Sequence, residues 1–259
     1  MLLKNSKEIK ALILDMDGVL WRERAPIGDL PSIFSRFEKA GLKVILATNN
    51  ATRTPRQYIE KMAGFGLSIR EDQVINSAMG VAYLLHKHHP DGGPVYILGE
   101  IGLTSALNDV GFTHSEKSGL AVIGSMDRDI TFWKLKQATL LIRSGIPFYF
   151  TNPDRTYPTP EGLIPGAGAI LAALEAATDV KAIIAGKPSP TLFEFALERL
   201  GTKPEETLVV GDRLETDILG GQRAGCPTAV VLTGIATRTE TERWQPKVDL
   251  ILEELGDLV

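Results

Sequence analysis

The strongest constraint in this sequence is a short apolar run that stops at two acidic residues, in the segment LILDMDG at residues 12–18. An uninterrupted apolar run over residues 11–14 is typical of a strand that is buried on both faces of a parallel sheet. Ligands of open parallel sheets bind where the strands end, and this strand ends at Asp15 and Asp17. Gly18 then permits a turn that other residues resist. The two acids also fit an ordinary loop, so the rest of the chain has to decide between these interpretations.

Strands and helices alternate on both sides of the middle part of the chain. Before it, predicted strands at 43–47 and 74–75 are separated by a predicted helix, and another helix at 31–40 follows the first strand. Toward the C-terminus, predicted strands at 207–210 and 228–232 flank a further helix. This alternation predicts an α/β fold with a parallel sheet.

The middle of the chain repeats the pattern and therefore needs a sheet of its own. Its predicted strands, with helices between them, are 95–98, 120–123 and 147–151. Residues 153–168 are rich in Pro and Gly, which predicts a loop and a domain boundary. A helix at 169–177 and a strand at 182–185 follow, and we interpret them as the first pattern resuming.

The length of 259 residues is compatible with one large domain or two smaller ones. The two separate runs of alternating strands and helices predict two domains. Residues 1–80 and 173–259 are expected to form the core domain, and residues 81–172 an inserted α/β domain.

Charge and composition exclude several other classes of protein. The 28 Lys and Arg residues are outnumbered by 32 Asp and Glu residues, and no basic cluster is present, so a nucleic-acid partner is not expected. No apolar stretch approaches the roughly 20 residues of a membrane span, and the N-terminus lacks an apolar leader. We therefore expect a cytoplasmic protein with no membrane partner. Cys226 is the only cysteine and cannot form an internal disulfide.

Four predicted strand ends in the outer pattern carry polar residues that suit a phosphate site. These residues are Asp15 and Asp17, Thr48 and Asn49, Lys187, and Asp212 with Asp217. If the strands are parallel, these side chains meet at one edge of the sheet. Several acids near a phosphate require a cation, and Mg²⁺ prefers such oxygen ligands. Lys187 supplies a positive charge, and Thr48 a hydroxyl, for the phosphoryl oxygens.

Each of these residues also has an ordinary structural interpretation. Thr48 is able to cap a turn, and a lysine before a proline, such as Lys187, often lies in solvent. Asp212 and Asp217 suit a loop and a helix N-cap. Only the joint placement of the residues at four strand ends favours a functional site.

Four segments resemble, in this order, the four motifs of the haloacid dehalogenase (HAD) superfamily of phosphohydrolases. They are DMDGV at 15–19, TNN at 48–50, GKP at 186–188 and GDRLETD at 211–217. The order and spacing make the resemblance specific, and no core motif departs from the family's pattern. It covers nearly the whole chain and implies a Rossmann-like parallel-sheet core.

The large insertion between the second and third motifs contains LGE at 98–100 and TNPD at 151–154. It is similar to the type C2 cap of subfamily IIA, the branch of NagD-like and 4-nitrophenylphosphatase-like enzymes. The resemblance implies an α/β cap that closes over the active site, and the relatives suggest a homodimer through this cap. Asn152 and Asp154 lie on a loop that leaves a strand, so we predict that they contact the substrate. It is equally open that they hydrogen-bond their own turn.

The resemblance also implies roles for the acidic residues. Asp15 would be the nucleophile that becomes an aspartyl-phosphate, and Asp17 would protonate the leaving oxygen and then take a proton from water. Mg²⁺ would be bound by the side chains of Asp15 and Asp212 and by the main-chain carbonyl of Asp17. That leaves the Asp17 carboxyl free for proton transfer, because a metal-bound carboxylate stays ionised. Asp217 would support metal-bound water or hold Lys187 in place.

The sequence thus predicts a Mg²⁺-dependent phosphatase that hydrolyses small-molecule phosphomonoesters through an aspartyl-phosphate. The substrates that the resemblance suggests are phosphoglycolate, nucleoside monophosphates, pyridoxal phosphate, sugar phosphates and the synthetic nitrophenyl ester. A phosphotransferase or mutase would use the same intermediate but a hydroxyl acceptor. A non-catalytic phosphate-binding protein of the same fold also stays open, and a dehalogenase is less favoured than either.

Overall fold

A computed structural model describes residues 9–159 and 161–259, and the chain divides into two compact units. The first, called the core unit, comprises the described residues up to Thr48 together with Pro55–Ile75 and Lys187–Val259. The second, called the inserted unit, comprises Asn49–Thr54 and the described residues of Asn76–Gly186. The inserted unit therefore interrupts the core unit in sequence.

Within the described residues, strands and helices alternate along most of the chain. The strands are β1 (Ala11–Leu14), β2 (Trp21–Arg22), β3 (Ala25–Pro26), β4 (Lys43–Thr48), β5 (Val74–Asn76), β6 (Gly93–Leu98), β7 (Phe112–His114), β8 (Val122–Gly124), β9 (Phe148–Phe150), β10 (Thr156–Thr159), β11 (Gly162–Pro165), β12 (Ile183–Ile184), β13 (Thr207–Gly211), β14 (Thr228–Val231) and β15 (Leu250–Leu252). The helices are α1 (Leu30–Lys39), α2 (Pro55–Gly64), α3 (Ser77–His88), α4 (Ile101–Asn108), α5 (Phe132–Arg143), α6 (Ala167–Thr178), α7 (Thr191–Leu200), α8 (Leu219–Arg223) and α9 (Arg238–Arg243). None of these helices is long and apolar enough to cross a membrane.

The core unit is built on a six-stranded sheet in the order β15-β14-β13-β1-β4-β5. Strand β1 pairs in parallel with β13 and with β4, in a register that places Leu14 opposite both Val210 and Leu46. All four residues of β1 are buried, which confirms the prediction from its apolar run. The residues that follow β1, β4 and β13 therefore leave the sheet at the same edge.

The first helix of the core unit shows how local sequence sets the element boundaries. The Asp29 side chain accepts a hydrogen bond from the Ser32 amide and so caps the N-terminus of α1. Ile33 and Phe37, four residues apart, lie on the buried face of the helix. The helix ends one residue before the predicted end, just ahead of Gly41.

The inserted unit has its own five-stranded parallel sheet, in the order β12-β9-β8-β6-β7. Residues of β6 enter two different apolar clusters, with Val95 in one and Leu98 in the other. The first cluster includes residues of α3 and α4, and the second includes residues of α5 and α6. Both faces of this sheet are thus covered by helices, as expected for parallel strands.

The structure corrects one assignment made from the sequence. The sequence pattern assigns the strand at 182–185 to the core domain, but Ile183 and Ile184 pair with β9 in the inserted sheet. A short apolar strand after a helix suits either sheet, and its partner is decided by tertiary packing that the sequence pattern does not contain. The core pattern therefore resumes at Lys187. The predicted domain limits at residues 81 and 172 fall inside α3 and α6, two helices of the inserted unit.

The Pro- and Gly-rich segment 153–168, predicted as a loop, contains regular structure. Strands β10 and β11 form an antiparallel pair in which Thr156 faces Pro165 and Thr159 faces Gly162. Such a two-stranded ribbon is compatible with Pro and Gly because both of its strands are edge strands.

Candidate active site

The first acidic residue is placed by the central strand of the core sheet. The Asp15 amide continues the ladder of β1 and donates to the Val210 carbonyl at 2.9 Å. The chain then turns at Gly18, which has a φ of 82°. A Cβ atom at this position would overlap the carboxylate of Asp212, so glycine is required both by conformation and by space. The turn thereby brings the DMDG segment against the end of β13.

Lys187 lies at the centre of the charged residues, and its side chain is almost completely buried. Its Nζ donates to Asp15 Oδ1 and to Asp217 Oδ1, both at 2.7 Å, and to the Ala47 carbonyl at 2.8 Å. These three acceptors match the three hydrogens of an ammonium group. Burial lowers the pKa of Lys187, but attraction to the two carboxylates outweighs it and leaves the pKa above its ordinary value. Lys187 is therefore held as a cation.

Asp212 and Asp217 come from the segment that follows β13. A π-helical turn over Leu214–Ile218 precedes α8, so Asp217 lies inside this turn rather than at the predicted helix start. Its second carboxylate oxygen accepts from the Arg213 amide at 3.2 Å. Asp212 Oδ2 accepts from the Ile235 amide at 2.9 Å. Both side chains are buried, and main-chain amides fix their orientation.

The electrostatics of this charged cluster, defined as Asp15, Lys187, Asp212 and Asp217, show an excess of negative charge. Burial raises the pKa of Asp15 well above its ordinary value; Lys187 opposes the rise, and the other two carboxylates add to it. Burial, followed by the charge of Asp217, raises the pKa of Asp212 to about 6. Three carboxylates thus share one lysine, and a further cation would lower the cost of ionising all of them.

The same three carboxylates are arranged in a way that suits a metal ion. Asp15, Asp212 and Asp217 each offer one carboxylate oxygen, and these oxygens all lie within 4.8 Å of one another. A group of largely buried oxygen ligands with unbalanced negative charge fits a hard divalent cation. The Asp17 carboxyl is not part of this group, and the predicted role of Asp17 at a metal stays a prediction.

Two more predicted residues of the core unit have distinct environments. Thr48 is the last residue of β4 and is buried, next to the Ala47 carbonyl that accepts from Lys187. Asp17 is exposed, and its Oδ1 accepts a hydrogen bond from the Trp21 indole at 2.6 Å. Trp21 carries no sequence signal for this contact, because a tryptophan after an apolar run indicates only core packing. Of the predicted residues, the structure thus gathers Asp15, Asp17, Thr48, Lys187, Asp212 and Asp217 at one edge of the core sheet.

The other three predicted residues belong to the inserted unit and are hydrogen-bonded to each other. Asn49 Nδ2 donates to both carboxylate oxygens of Asp154, at 3.1 and 3.3 Å. Asn152 Nδ2 donates to the Asn49 carbonyl at 2.7 Å, and its Oδ1 accepts from the Asp154 amide at 3.1 Å. The local turn that the sequence left open is therefore present. Contact of these residues with a substrate stays a prediction.

Buried hydroxyl groups surround Asn152 in the inserted unit. Its Nδ2 lies 3.4 Å from both Ser77 Oγ and Thr151 Oγ1, and Thr151 Oγ1 donates to Ser125 Oγ at 2.9 Å. Ser77 also donates to the Asn49 carbonyl. We call these five residues the amide cluster: Asn49, Ser77, Ser125, Thr151 and Asn152. The three hydroxyl residues are not recognisable from sequence, because serine and threonine near strand ends usually belong to turns.

Comparison with known proteins gives matches over nearly the whole chain. One family profile, described as haloacid dehalogenase-like hydrolase, matches residues 12–113, and another, described as HAD-hydrolase-like, matches residues 184–258. The 5′-nucleotidase YutF of Bacillus subtilis is 34% identical over 232 residues, 90% of each chain. The acid sugar phosphatase of Staphylococcus aureus is 35% identical over 238 residues, 91% of each chain. NagD from E. coli K-12 has a similar structure, with a TM-score of 0.92 and 29% identity over 98% of this chain and 99% of that one.

The two family profiles together contain the charged cluster. The first includes Asp15, and the second includes Lys187, Asp212 and Asp217. The long insertion separates these matches in sequence, and the core sheet brings their strand ends side by side.

Proposed function

The chain belongs to the haloacid dehalogenase-like hydrolases, in the NagD-like subfamily IIA, and is a phosphoric monoester hydrolase. We propose that it hydrolyses small-molecule phosphomonoesters with Mg²⁺, through an aspartyl-phosphate on Asp15. The observation that carries this proposal is the contact of Lys187 Nζ with Asp15 Oδ1 at 2.7 Å, beside the buried carboxylate of Asp212. A lysine in this position holds one oxygen of Asp15 and leaves the other available for attack on phosphorus.

In the first step, the free carboxylate oxygen of Asp15 attacks the phosphorus atom in line with the ester oxygen. The bond from phosphorus to the ester oxygen breaks, and the Asp17 carboxyl gives its proton to that oxygen, so the product leaves as an alcohol. In the second step, water attacks the phosphorus of the aspartyl-phosphate and Asp17 takes a proton from it. Asp15 is released as a carboxylate, and inorganic phosphate is formed.

The chain offers a fitting set of groups for the metal. The side chains of Asp15 and Asp212 and the main-chain carbonyl of Asp17 would bind Mg²⁺, which supplies positive charge that offsets repulsion between the nucleophile and the phosphate. Asp217 holds Lys187, through a contact of 2.7 Å, and the Lys187 cation adds to the positive charge near the phosphoryl group. Thr48, buried at the end of β4, would donate a hydrogen bond to a phosphoryl oxygen.

The names of the relatives guide the choice of substrate. One is called a 5′-nucleotidase and another an acid sugar phosphatase, so nucleoside monophosphates and sugar phosphates are the first esters to test. We expect contact with the leaving group from Asn49 and Asp154 of the inserted unit, and not from Asn152, because both polar atoms of Asn152 are hydrogen-bonded within that unit. A homodimer formed through the inserted unit and a cytoplasmic location complete the proposal.

The experiment is phosphate release from a panel of phosphomonoesters, measured with Mg²⁺ and with EDTA. We expect release from the wild type only with the metal, and a loss of at least about 1,000-fold in Asp15→Asn, because the near-isosteric amide is a poor nucleophile. Acid-quenched wild-type protein should carry one phosphoryl group on the peptide that contains Asp15. Release that resists EDTA, or substantial activity of Asp15→Asn, would refute the mechanism.

A further inference from the structure

Trp21 makes a contact that its place in the core does not by itself require. The side chain is 1% exposed, and its indole nitrogen reaches out of the core to donate to Asp17 Oδ1 at 2.6 Å. A buried indole N–H needs an acceptor, and here the acceptor is the carboxyl to which the proposed function assigns proton transfer. The hydrogen bond therefore connects the buried side chain of Trp21 to the exposed carboxyl of Asp17.

Main-chain bonds fix the backbone of Trp21. Residues Trp21 and Arg22 form β2, which pairs with β3 so that Trp21 faces Pro26. The Gly18 amide donates to the Trp21 carbonyl at 2.8 Å, which closes the turn that begins at Asp17. The turn between Asp17 and Trp21 thus has little freedom to change length or direction.

The indole ring is held from the side of α2 as well. Its centroid lies 6.0 Å from that of Phe65, and Lys61 Nζ lies 3.8 Å from the ring centroid. Lys61 also donates to the Glu23 carbonyl, at 3.4 Å, which ties α2 to the turn between β2 and β3. A cation over the ring face adds attraction to the packing. The N–H group is therefore aimed at a fixed point in space.

We propose that Trp21 is a positioning residue that selects which oxygen of Asp17 transfers the proton. This inference rests on the proposed function. An indole N–H is only a donor, so the oxygen that it contacts, Oδ1, has to remain an acceptor. Oδ2, the oxygen that the indole does not contact, is therefore the oxygen that transfers the proton.

The assignment gives each oxygen of Asp17 a separate task in both steps. Oδ2 gives its proton to the ester oxygen as the bond to phosphorus breaks, and the alcohol leaves. Oδ2 then accepts a proton from the water whose oxygen bonds to phosphorus, while the bond from phosphorus to Asp15 breaks. Oδ1 stays on the indole throughout and keeps the carboxyl plane fixed.

The test uses Trp21→Phe, which removes the N–H and keeps an aromatic ring in the core. Its kcat and KM are measured on an alkyl phosphate, whose leaving oxygen needs a proton, and on 4-nitrophenyl phosphate, whose leaving group is stable as an anion. We expect kcat for the alkyl ester to fall about 10- to 100-fold, kcat for the nitrophenyl ester to change less than about threefold, and both KM values to stay similar.

A matched control is available in the same unit. The Trp244 indole donates to Gln222 Oε1 at 3.2 Å, so Trp244→Phe also removes one indole hydrogen bond. We expect this variant to treat the two esters alike. In addition, Trp21→Phe should cost nothing further in a protein that already carries Asp17→Asn, because the two residues act through one proton transfer.

The outcomes separate this inference from the proposed function. Turnover of 4-nitrophenyl phosphate by the wild type, abolished by Asp15→Asn, tests the proposed function in the same assay. If that holds and Trp21→Phe slows both esters equally, the positioning role is overturned alone.

A second measurement covers the case in which Trp21→Phe does not fold. The protein has three tryptophans, and their indole ¹⁵N–¹H resonances are compared between the wild type and Asp17→Asn. A shift of one resonance supports the contact. An unchanged set of three overturns the proposal.

Discussion

In both sheets of this protein, largely buried polar side chains directly follow two of the strands; in the core unit these two residues are acids, and in the inserted unit they carry hydroxyls. In the core unit, Asp15 and Asp212 follow β1 and β13, and Lys187 lies against Asp15. In the inserted unit, Ser125 follows β8 and Thr151 follows β9, and these two hydroxyls are hydrogen-bonded to each other at 2.9 Å. Both pairs of residues directly follow strands of a parallel sheet, so they differ in the chemistry of their side chains and not in their place in the fold.

This difference in charge decides whether each group of side chains can satisfy its polar atoms without an added ion. Hydroxyls and amides can donate and accept, so a buried group of them is able to satisfy its members internally. Ionised carboxylates only accept, and three of them around one lysine leave negative charge unbalanced. An arrangement that is costly without a cation suits a divalent metal ion, whereas a neutral cluster is able to satisfy its own hydrogen bonds.

The largest effect is expected from removing the cation of the charged cluster. Lys187→Met should reduce phosphate release by about 100- to 1,000-fold, because the nucleophile loses its partner and the phosphoryl group loses a positive charge. It should also lower the free energy of unfolding by about 3–5 kcal/mol, since the largely buried Asp15 and Asp217 lose their lysine. Phosphate release and urea unfolding measure the two effects.

An exposed ion pair of the inserted unit provides the control for this variant. Lys181 contacts Glu175 at 2.6 Å, but its side chain is 86% exposed. Lys181→Met should therefore change the free energy of unfolding by less than about 1 kcal/mol and leave activity intact. Equal losses in the two variants would mean that burial does not distinguish the charged cluster.

A smaller effect is expected from pH, which acts on the charged cluster and not on neutral hydroxyls and amides. Burial, with the charge of Asp217, raises the pKa of Asp212 from its ordinary 3.8 to about 6. The folded protein thus holds this proton more tightly than the unfolded chain, and stability falls as pH rises from about 4 to about 6. In EDTA, the wild type should lose about 2 kcal/mol of unfolding free energy between about pH 4 and about pH 7, relative to Asp212→Asn.

Urea unfolding of both proteins at the two pH values measures this difference. The variant is the control, because an amide at position 212 does not titrate and the remaining groups are shared. If the free energy of unfolding of the two proteins depends on pH in the same way, the Asp212 carboxyl is already ionised in the folded protein at low pH. The charged cluster would then not differ from the neutral one in its response to pH.

The same comparison shows which parts of the site are predictable from sequence. Asp15, Asp212 and Lys187 are predictable because each stands in a short motif next to an apolar run, so local pattern alone marks them. Their meeting at one edge follows from parallel strands, which the alternation of strands and helices implies and which the pairing of β1 with β4 and β13 confirms.

Other features depend on tertiary contacts that no local pattern contains. The pairing of Ile183 with Tyr149 in the inserted sheet is not predictable, since a two-residue apolar strand has no register of its own. The hydrogen bond from the Trp21 indole to Asp17 is not predictable from the sequence either, because only the fold shows that the ring is buried and that its acceptor is exposed. The bond between Asn49 and Asp154 joins residues 105 positions apart.

The smallest effect tests whether the amide cluster is a scaffold. Asn152→Leu keeps a similar shape but removes the bonds from Nδ2 to the Asn49 carbonyl and from the Asp154 amide to Oδ1. Two hydrogen bonds of a buried side chain are lost, although the Asn49 carbonyl keeps its bond from Ser77, so the free energy of unfolding should fall by about 1–3 kcal/mol. Because both polar atoms of Asn152 are already used within the inserted unit, KM for a sugar phosphate should change less than about threefold.

Asn108→Leu is the matched control, since Asn108 is an exposed amide at the end of α4 and its loss should leave stability within about 0.5 kcal/mol. A rise of tenfold or more in KM for Asn152→Leu, without loss of stability, would contradict the scaffold role and favour direct contact with the substrate. In that event a neutral cluster would also be part of the reactive site, and net charge alone would not separate the two edges. If Asn152→Leu loses stability and its KM does not change, Asn152 does not contact the substrate. Of the three predicted residues in the inserted unit, Asn49 and Asp154 then remain as candidates for that contact, and their side chains are less buried than that of Asn152.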